Sequence, residues 1–265
     1  LANNDPYSGA SHLNDIFMFK PVFKDGERVA FLSVIMHHTD MGGRVPGGNA
    51  PDSTEIFQEG LRIPPTKIVD RGQTNVTLMR IIETNVRVPD KVLADLQSQI
   101  AALGMGERDF LKQLKAYDVQ EFMAYTTDLI DYAERLTRAA IKELPDGTVE
   151  FTDWNDDDGA GSGPVKFHVR LTVAGDEIEV DFTGPSAQTS GALNPNYWFT
   201  ASCALAAIRS SLDMAIPSNA GFYRPIRVIA PEGCFVNPRF PAPVGARGQA
   251  GYRCRTLILG ALAKL

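Results

Sequence analysis

Cysteine is scarce in this chain: only Cys203, Cys234 and Cys254 are present, and no two of them show CxxC spacing. An odd number of widely separated cysteines indicates neither a disulfide framework nor a thiolate cluster for a metal. We therefore expect buried, reduced thiols, as in a cytoplasmic protein.

Long apolar runs and basic clusters are lacking as well. The longest purely apolar runs, such as Ala204–Ile208, are far shorter than the roughly 20 residues of a membrane-spanning helix. The net charge is -6, and the Lys and Arg residues are scattered rather than gathered into a stripe. Because nucleic acid demands a concentrated basic surface, we expect neither a membrane nor a nucleic acid as a partner.

What the chain does contain is typical of a globular protein. Of its 265 residues, 44% are hydrophobic and 22% are charged, which provides ample side chains for a core. The first residue is Leu1 rather than methionine, and Leu265 lies inside a helical pattern. We expect the chain to be part of a longer polypeptide.

Two β-hairpins are predicted from the residue pattern. Ile16–Phe23 and Val29–Met36 are rich in β-branched, aromatic and Met residues, and Lys24-Asp25-Gly26 between them supplies a turn. In the second half of the chain, Val165–Val173 and Ile178–Phe182 alternate between apolar and polar residues. Each pair of segments is expected to form an antiparallel hairpin.

Between the hairpins, a period near 3.6 predicts two amphipathic helices. The first begins at Pro89 and is interrupted by Gly104-Met105-Gly106, and the second runs from Val119 to Leu144. Their apolar stripes favour core packing, with binding of a partner as the alternative. Further elements are a helix over Phe199–Leu212, a strand over Ile226–Ile229 and a helix over Tyr252–Leu265.

The sequence period changes from 3.6 to 2 after Gly147, where a helical region gives way to a strand-rich one. We predict an α+β fold with antiparallel hairpins and long amphipathic helices. The same change divides the chain into residues 1–147, with the first hairpin and the helical region, and residues 148–265, which are β-rich with further helices.

The first hairpin brings polar residues together at its open end. With the turn near Gly26, residues whose numbers sum to about 52 lie opposite each other. Asp15 then faces His37, and in the same register His12 faces Asp40. The segment before the strand must bend for His12 and Asp15 to reach one point, since their separation is odd. Two imidazoles and a carboxylate suit Zn, Mn or Fe; the alternative is that these side chains only hydrogen-bond to loop backbone.

Three arginines are weaker candidates for binding a substrate or another anion. Arg247 and Arg253 lie in a glycine-rich run before a predicted helix, where a phosphate or carboxylate site and a tight structural turn are both open. Arg62 either orients a substrate carboxylate or pairs with Glu59. The acidic run Asp156–Asp158 either binds a cation or is a solvated loop, and we favour the solvated loop.

Several longer motifs follow one another along the chain. They are Asn4-Asp5-Pro6-Tyr7, His12-Leu13-Asn14-Asp15, His37-His38-Thr39-Asp40-Met41-Gly42-Gly43, Thr54–Pro65, Asn85-Val86-Arg87, Asp156-Asp157-Asp158-Gly159, Val180-Asp181-Phe182-Thr183-Gly184, Pro217–Gly221 and Ile229–Gly233. In these motifs the chain resembles the hydantoinase B/oxoprolinase family, which also includes the large subunits of acetone and acetophenone carboxylases.

The resemblance implies a metal site in the first hairpin. It implies that His12, Asp15 and His37 hold the ion, with a further carboxylate from a segment that precedes this chain. Zinc and manganese both suit such a mixed shell. In this scheme Asp40 is a candidate general base, and His38 is a candidate for orienting a metal ligand from behind.

The resemblance also implies an ATP-dependent amidohydrolase that opens a cyclic amide such as a hydantoin, 5-oxoproline or another lactam. A separate A-type subunit is expected to bind ATP and Mg²⁺ and to phosphorylate the amide, since this chain has no P-loop. The present chain then opens the ring with a metal-activated water, within a hetero-oligomer. Two alternatives stay open: a subunit of an ATP-dependent ketone carboxylase, and a non-catalytic scaffold that docks the ATP-binding subunit.

Overall fold

The computed structural model of the protein describes residues 1–212 and 215–265. Its strands are β1 (Ala2–Asn3), β2 (Asp15–Lys24), β3 (Glu27–His37), β4 (Val69–Asp70), β5 (Gln73–Thr74), β6 (Gly147–Asn155), β7 (Val165–Ala174), β8 (Glu177–Asp181) and β9 (Ile226–Ile229). Its α-helices are α1 (Val76–Asn85), α2 (Pro89–Gln113), α3 (Val119–Lys142), α4 (Tyr197–Ser211), α5 (Ala220–Tyr223) and α6 (Arg247–Leu262). These helices and largely antiparallel sheets confirm the predicted α+β class.

The chain forms two compact units. The first comprises Leu1–Ala50 and Glu55–Met123, and the second comprises Pro51–Thr54 and Ala124–Leu265. The chain passes between them after Ala50, after Thr54 and after Met123, the last inside α3. The functional division at Gly147, where the sequence period changes, stays a prediction.

In the first unit, the β2–β3 hairpin has the predicted register. Asp15 pairs with His37, and the same offset holds as far as Val22 and Ala30, where a β-bulge precedes the turn. The turn residues Asp25 and Gly26 have φ values of 53° and 84°, the left-handed conformations of a tight two-residue hairpin turn. The turn and the one-residue shift at the bulge together determine which residues meet at the far end of the hairpin.

Helix α2 packs against the inner face of this hairpin. Val92, Leu96 and Leu103 are buried in one cluster with Ile16 and Met18 of β2. The helix continues without a break through the run at 104–106 that was expected to interrupt it. Each glycine in a helix costs only about 1 kcal/mol relative to alanine, and burial of this apolar stripe offsets that cost. Helix α1, which precedes α2, was not predicted.

The second unit is built on a four-stranded sheet in the order β6-β7-β8-β9. The β7–β8 hairpin confirms the second predicted hairpin, and β9 adds to it in parallel. One face of the sheet packs with α4 and α6 around Phe167, Phe182 and Phe235, which are fully buried. Helix α6 begins at Arg247, five residues before its predicted start.

No helix within the two described stretches is both long and apolar enough to cross a membrane. All three cysteines are free thiols, but only Cys254 is fully buried, and Cys203 and Cys234 are half-buried. Burial raises the pKa of Cys203 to about 11, so that this thiol is protonated at neutral pH.

Candidate metal centre

The structure brings His12, Asp15 and His37 together at the open end of the first hairpin. One potential ligand atom from each residue lies within 4.8 Å of the others. His12 Nε2 is 3.2 Å from His37 Nε2, and His12 Nδ1 is 2.6 Å from Asp15 Oδ2. Ser11 Oγ also donates to Asp15 Oδ2. His12 and Asp15 are buried, whereas His37 is exposed.

A turn before β2 supplies the bend that the odd spacing requires. The Asp15 amide donates to the His12 carbonyl at 3.1 Å, which folds His12 back over the start of the strand. The hairpin end is then closed by Asn14: its carbonyl accepts from the His38 amide at 2.7 Å, and its Nδ2 donates to the His38 carbonyl at 2.9 Å. Backbone bonds on both strands thus hold the three side chains in place.

The hydrogen bond between His12 and Asp15 determines which nitrogen of the His12 ring carries the proton and which one faces His37. A carboxylate at 2.6 Å from Nδ1 keeps the proton on that nitrogen, which leaves the Nε2 lone pair facing His37. Two nitrogens bound to one tetrahedral zinc ion at about 2.0–2.1 Å lie roughly 3.3 Å apart, close to the separation of the two Nε2 atoms. The donors therefore fit a divalent cation, and the carboxylate that aligns His12 belongs to the same cluster.

His38 points away from this cluster into the protein. Its Nε2 donates to Gln99 Oε1 at 3.0 Å, and Gln99 Nε2 donates to the Ile16 carbonyl at 2.9 Å. Burial lowers the pKa of His38 below its usual 6.5, although the bond to Gln99 opposes the shift. The expected bond from His38 to a metal ligand is replaced by this link between α2 and the hairpin.

Asp40 anchors a glycine-rich loop instead of facing His12. Its carboxylate accepts from the amides of Gly42, Gly47 and Arg87 and from Arg87 Nη1, the last at 2.9 Å. Burial alone would raise the pKa of Asp40, but these hydrogen bonds outweigh it and lower the pKa. A buried carboxylate with this many donors loses its geometric support as a general base, because its lone pairs are already in use.

The three arginine candidates have protein partners. Arg62 Nε lies 3.9 Å from Asp5 Oδ2, and its guanidinium lies 5.6 Å from the ring centroid of Phe57. Arg247 begins α6 and is buried with its guanidinium 4.9 Å from the Phe199 ring centroid. Arg253 donates to Asp153 Oδ2 at 2.8 Å. The anion-binding role of these three arginines stays a prediction.

Asp158 corrects the expectation of a solvated acidic loop. It is 1% exposed and accepts from Ser162 Oγ and from the amides of Ala160, Ser162 and Gly191. Burial alone would raise its pKa, but the bonds from Ser162, Gly191 and Ala160 together lower the pKa to about 2. Asp156 and Asp157 are exposed, as expected.

Sequence reasoning missed Ser11 and Gln99, which support the cluster. Gln99 lies on the buried stripe of α2 with Val92, Leu96 and Leu103. An amide at an otherwise apolar position was the available signal, because a buried polar side chain needs a partner. Ser11 offers no comparable signal, since a serine beside a histidine in a loop is unremarkable.

The comparison with known proteins covers the whole chain. The hydantoinase B/oxoprolinase family model matches residues 1–265. The chain is 34% identical over 277 residues to the B subunit of a putative D-/L-hydantoinase from Pseudomonas sp. (strain NS671), covering 100% of this chain and 47% of that protein. It is 35% identical over 244 residues to the beta subunit of a caprolactamase from Pseudomonas jessenii, covering 92% of this chain and 42% of that protein.

Two solved structures share the fold. The ATP-dependent caprolactamase from Pseudomonas jessenii superposes with a TM-score of 0.94 at 33% identity, over 99% of this chain and 46% of that chain. A nucleotide-free acetone carboxylase superposes with a TM-score of 0.93 at 18% identity, over 99% of this chain and 36% of that chain, which shows the fold alone. The chain spans less than half the length of the curated relatives named here. Because the family model matches this chain over residues 1–265, the chain belongs to the hydantoinase B/oxoprolinase family.

Proposed function

We propose that this chain is the ring-opening, B-type part of an ATP-dependent amidohydrolase that acts on a cyclic amide such as a hydantoin, 5-oxoproline or another lactam. The observation that carries the proposal is the approach of His12 Nε2 to His37 Nε2 at 3.2 Å beside the Asp15 carboxylate, in a chain of this family. The names of its relatives, which refer to a putative hydantoinase and a caprolactamase, support the choice of cyclic amides.

His12 and His37 would hold a divalent cation, either zinc or manganese, through their Nε2 atoms, while Asp15, which the family resemblance also makes a ligand, bonds to His12 Nδ1 in this structure. When bound, such a cation supplies Lewis acidity and favours the loss of a proton from water near neutral pH. Asp15 accepts the Nδ1 proton of His12 and so keeps the opposite nitrogen unprotonated and correctly aimed. Ser11 donates to the same carboxylate and restricts its rotation. His37 is exposed and leaves one side of the cluster open to a substrate.

The ATP-dependent step is assigned to a partner. An amide is a poor electrophile because its nitrogen lone pair is delocalised onto the oxygen, and phosphorylation of that oxygen removes this resonance. The chain has no P-loop, and its relatives are named as individual subunits of larger enzymes, so we assign ATP and Mg²⁺ to an A-type subunit. Water then adds across the ring C–N bond, with ADP and phosphate as the other products.

The test uses the complete B-type protein together with its A-type partner, ATP and Mg²⁺. Hydantoin, 5-oxoproline and caprolactam are supplied separately, and ADP and the ring-opened acid are quantified together. We expect equimolar ADP and product with at least one ring, and loss of at least about 100-fold in rate for His37→Ala. The matched control is His168→Ala: this histidine is on β7, where its Nδ1 lies 2.9 Å from Thr152 Oγ1.

Two results would replace this proposal. ADP formation that depends on bicarbonate and a ketone, with no ring opened, assigns the chain to a carboxylase instead. Full activity of the His37→Ala complex, together with no stoichiometric metal in the unaltered complex, makes the chain a scaffold for the ATP-binding subunit.

A further inference from the structure

The β2–β3 hairpin carries its cluster residues on one face and its core residues on the other. Side chains alternate along each strand, so Ile16, Met18 and Val22 are buried on the inner face. The outer face begins with the Asp15–His37 pair at the metal centre. The next pair on this face determines what lies beside the centre.

That next pair is Phe17 and Ile35, which are directly opposite each other. Two residues along a strand is about 7 Å, so both side chains stand one step from Asp15 and His37. Ile35 is 53% exposed, and Phe17 is half-buried. Apolar surface of this kind is stabilised when a ligand covers it.

The backbone beneath this pair is held on both sides. Phe17 pairs with Asn3 of β1 as well as with Ile35 of β3, so it lies on the central strand of a three-stranded sheet. Asn3 is 5% exposed, and its Nδ2 donates to the Ser8 carbonyl at 3.0 Å. The pair is therefore presented on a rigid element, which is what a specificity surface needs.

We infer that Phe17 and Ile35 form an apolar wall of the substrate site and select cyclic amides that carry an apolar ring or substituent. The inference rests on the proposed function, because it takes the reacting amide to lie at His12, Asp15 and His37. With the amide there, a substituent on the substrate ring, such as a benzyl group, has to span only the step of about 7 Å between neighbouring pairs on this face to reach Phe17 and Ile35.

The same face offers a matched control. Phe31 is 58% exposed and lies four residues before Ile35 on β3, about 14 Å away along the strand. It shares the face and the apolar character of Ile35, but at this distance it lies beyond the reach of a substrate ring that carries one benzyl substituent. A general effect of exposed apolar residues on this sheet would appear at both positions.

The experiment compares hydantoin with 5-benzylhydantoin, using the complete two-subunit enzyme and ATP. For Ile35→Ser we expect the ratio of kcat/KM for the benzyl compound to that for hydantoin to fall roughly tenfold, mainly through KM. Binding of the two ring-opened products without ATP, measured by calorimetry, should weaken selectively as well: Ile35→Ser should raise the ratio of the Kd for the benzyl product to the Kd for the hydantoin product. Phe31→Ser should leave both ratios within about twofold of the unaltered enzyme, and metal content should be equal in all three proteins.

The outcomes separate this inference from the proposed function. If the unaltered complex opens neither ring with ATP, the proposed function fails and the inference fails with it. If both rings are opened but Ile35→Ser changes the two substrates equally, or Phe31→Ser shifts the ratio as much, then only the apolar wall is wrong.

Discussion

His38 Nε2 lies 3.0 Å from Gln99 Oε1, and this bond joins the end of β3 to the buried stripe of α2. Because Gln99 Nε2 also donates to the Ile16 carbonyl, one amide links the helix to both strands of the hairpin. The two residues that Gln99 contacts, His38 and Ile16, directly follow His37 and Asp15 in sequence. The Gln99 amide therefore supports the backbone that carries the metal centre.

Gln99→Leu should lower the free energy of unfolding by about 2 kcal/mol, because it leaves the buried imidazole N–H of His38 without a partner and removes one bond to the Ile16 carbonyl. Urea unfolding monitored by circular dichroism measures the change. Ser98→Ala is the control, since Ser98 is exposed and its Oγ bonds only within α2, to the Ala94 carbonyl; its effect should stay within about 0.5 kcal/mol. Equal stability of the two variants would contradict a structural role for the amide.

Arg87 holds the loop that follows the metal hairpin. Its Nη1 and Nη2 donate to the carbonyls of Gly42 and Gly43 at 3.2 and 2.6 Å, and Nη1 also binds Asp40. Arg87→Met should therefore lower the free energy of unfolding by about 2 kcal/mol, because the Asp40 carboxylate stays buried without the guanidinium that pairs with it. Proteolytic cleavage within Gly42–Gly48 should accelerate at the same time.

Two variants make the Arg87 prediction specific. Arg87→Lys should recover less than half of the loss, because a lysine cannot reproduce the forked bonds of a guanidinium. Arg80→Met removes an exposed arginine from α1 and should change neither stability nor cleavage. Cleavage of the loop at the unaltered rate in Arg87→Met would show that the clamp is dispensable.

The register of the first hairpin was accessible from sequence because it depends on local chemistry. The two-residue turn at Asp25-Gly26 alone would place Asp15 opposite Met36, and the bulge next to Val22 shifts the register by one residue, to His37. Counting pairs that sum to about 52 reproduced this register. The same arithmetic failed for His12 and Asp40, which lie outside the paired strands. Asp40 finds its partner in Arg87, 47 residues away in sequence, and no local pattern encodes that choice.

The remaining errors have a common physical cause. Local propensity favoured a break at 104–106, but Leu103 before it is buried, and Phe110 and Leu111 after it pack, partly buried, against a second apolar cluster. Composition favoured a solvated acidic run, but Asp158 is enclosed by amides of its own loop and of Gly191, 33 residues further on. In both cases tertiary contacts outweighed a correct estimate of local preference.

Asp158 should make stability depend on acid pH. Its pKa of about 2 in the folded protein is below the ordinary 3.8, so the unfolded chain binds a proton more readily. The carboxylate thus contributes about 2 kcal/mol of stability at pH 5 and above, and this contribution is lost as the pH falls from about 4 to about 2. Urea unfolding at pH 5.0, 3.5 and 2.5 measures the slope.

Asp158→Asn should flatten this part of the profile and lower stability at pH 5. Asp156→Asn is the matched control, since Asp156 lies two residues earlier and is exposed. Its profile should follow that of the unaltered protein. An identical acid slope in all three proteins would mean that other carboxylates govern acid unfolding.

Metal binding should stabilise the protein through His12 and His37. A ligand present at 100 times its Kd and bound only to the folded state adds about 2.7 kcal/mol, so zinc or manganese should raise the unfolding midpoint in urea. His37→Ala removes one of two nitrogens that are 3.2 Å apart and should abolish the increase, whereas His168→Ala should retain it. Asp15→Asn should weaken binding at least 10- to 100-fold in a calorimetric titration, because His12 loses the carboxylate that fixes its tautomer. Equal metal stabilisation of His37→Ala and the unaltered protein would place the cation elsewhere and remove the basis for ring opening at this hairpin.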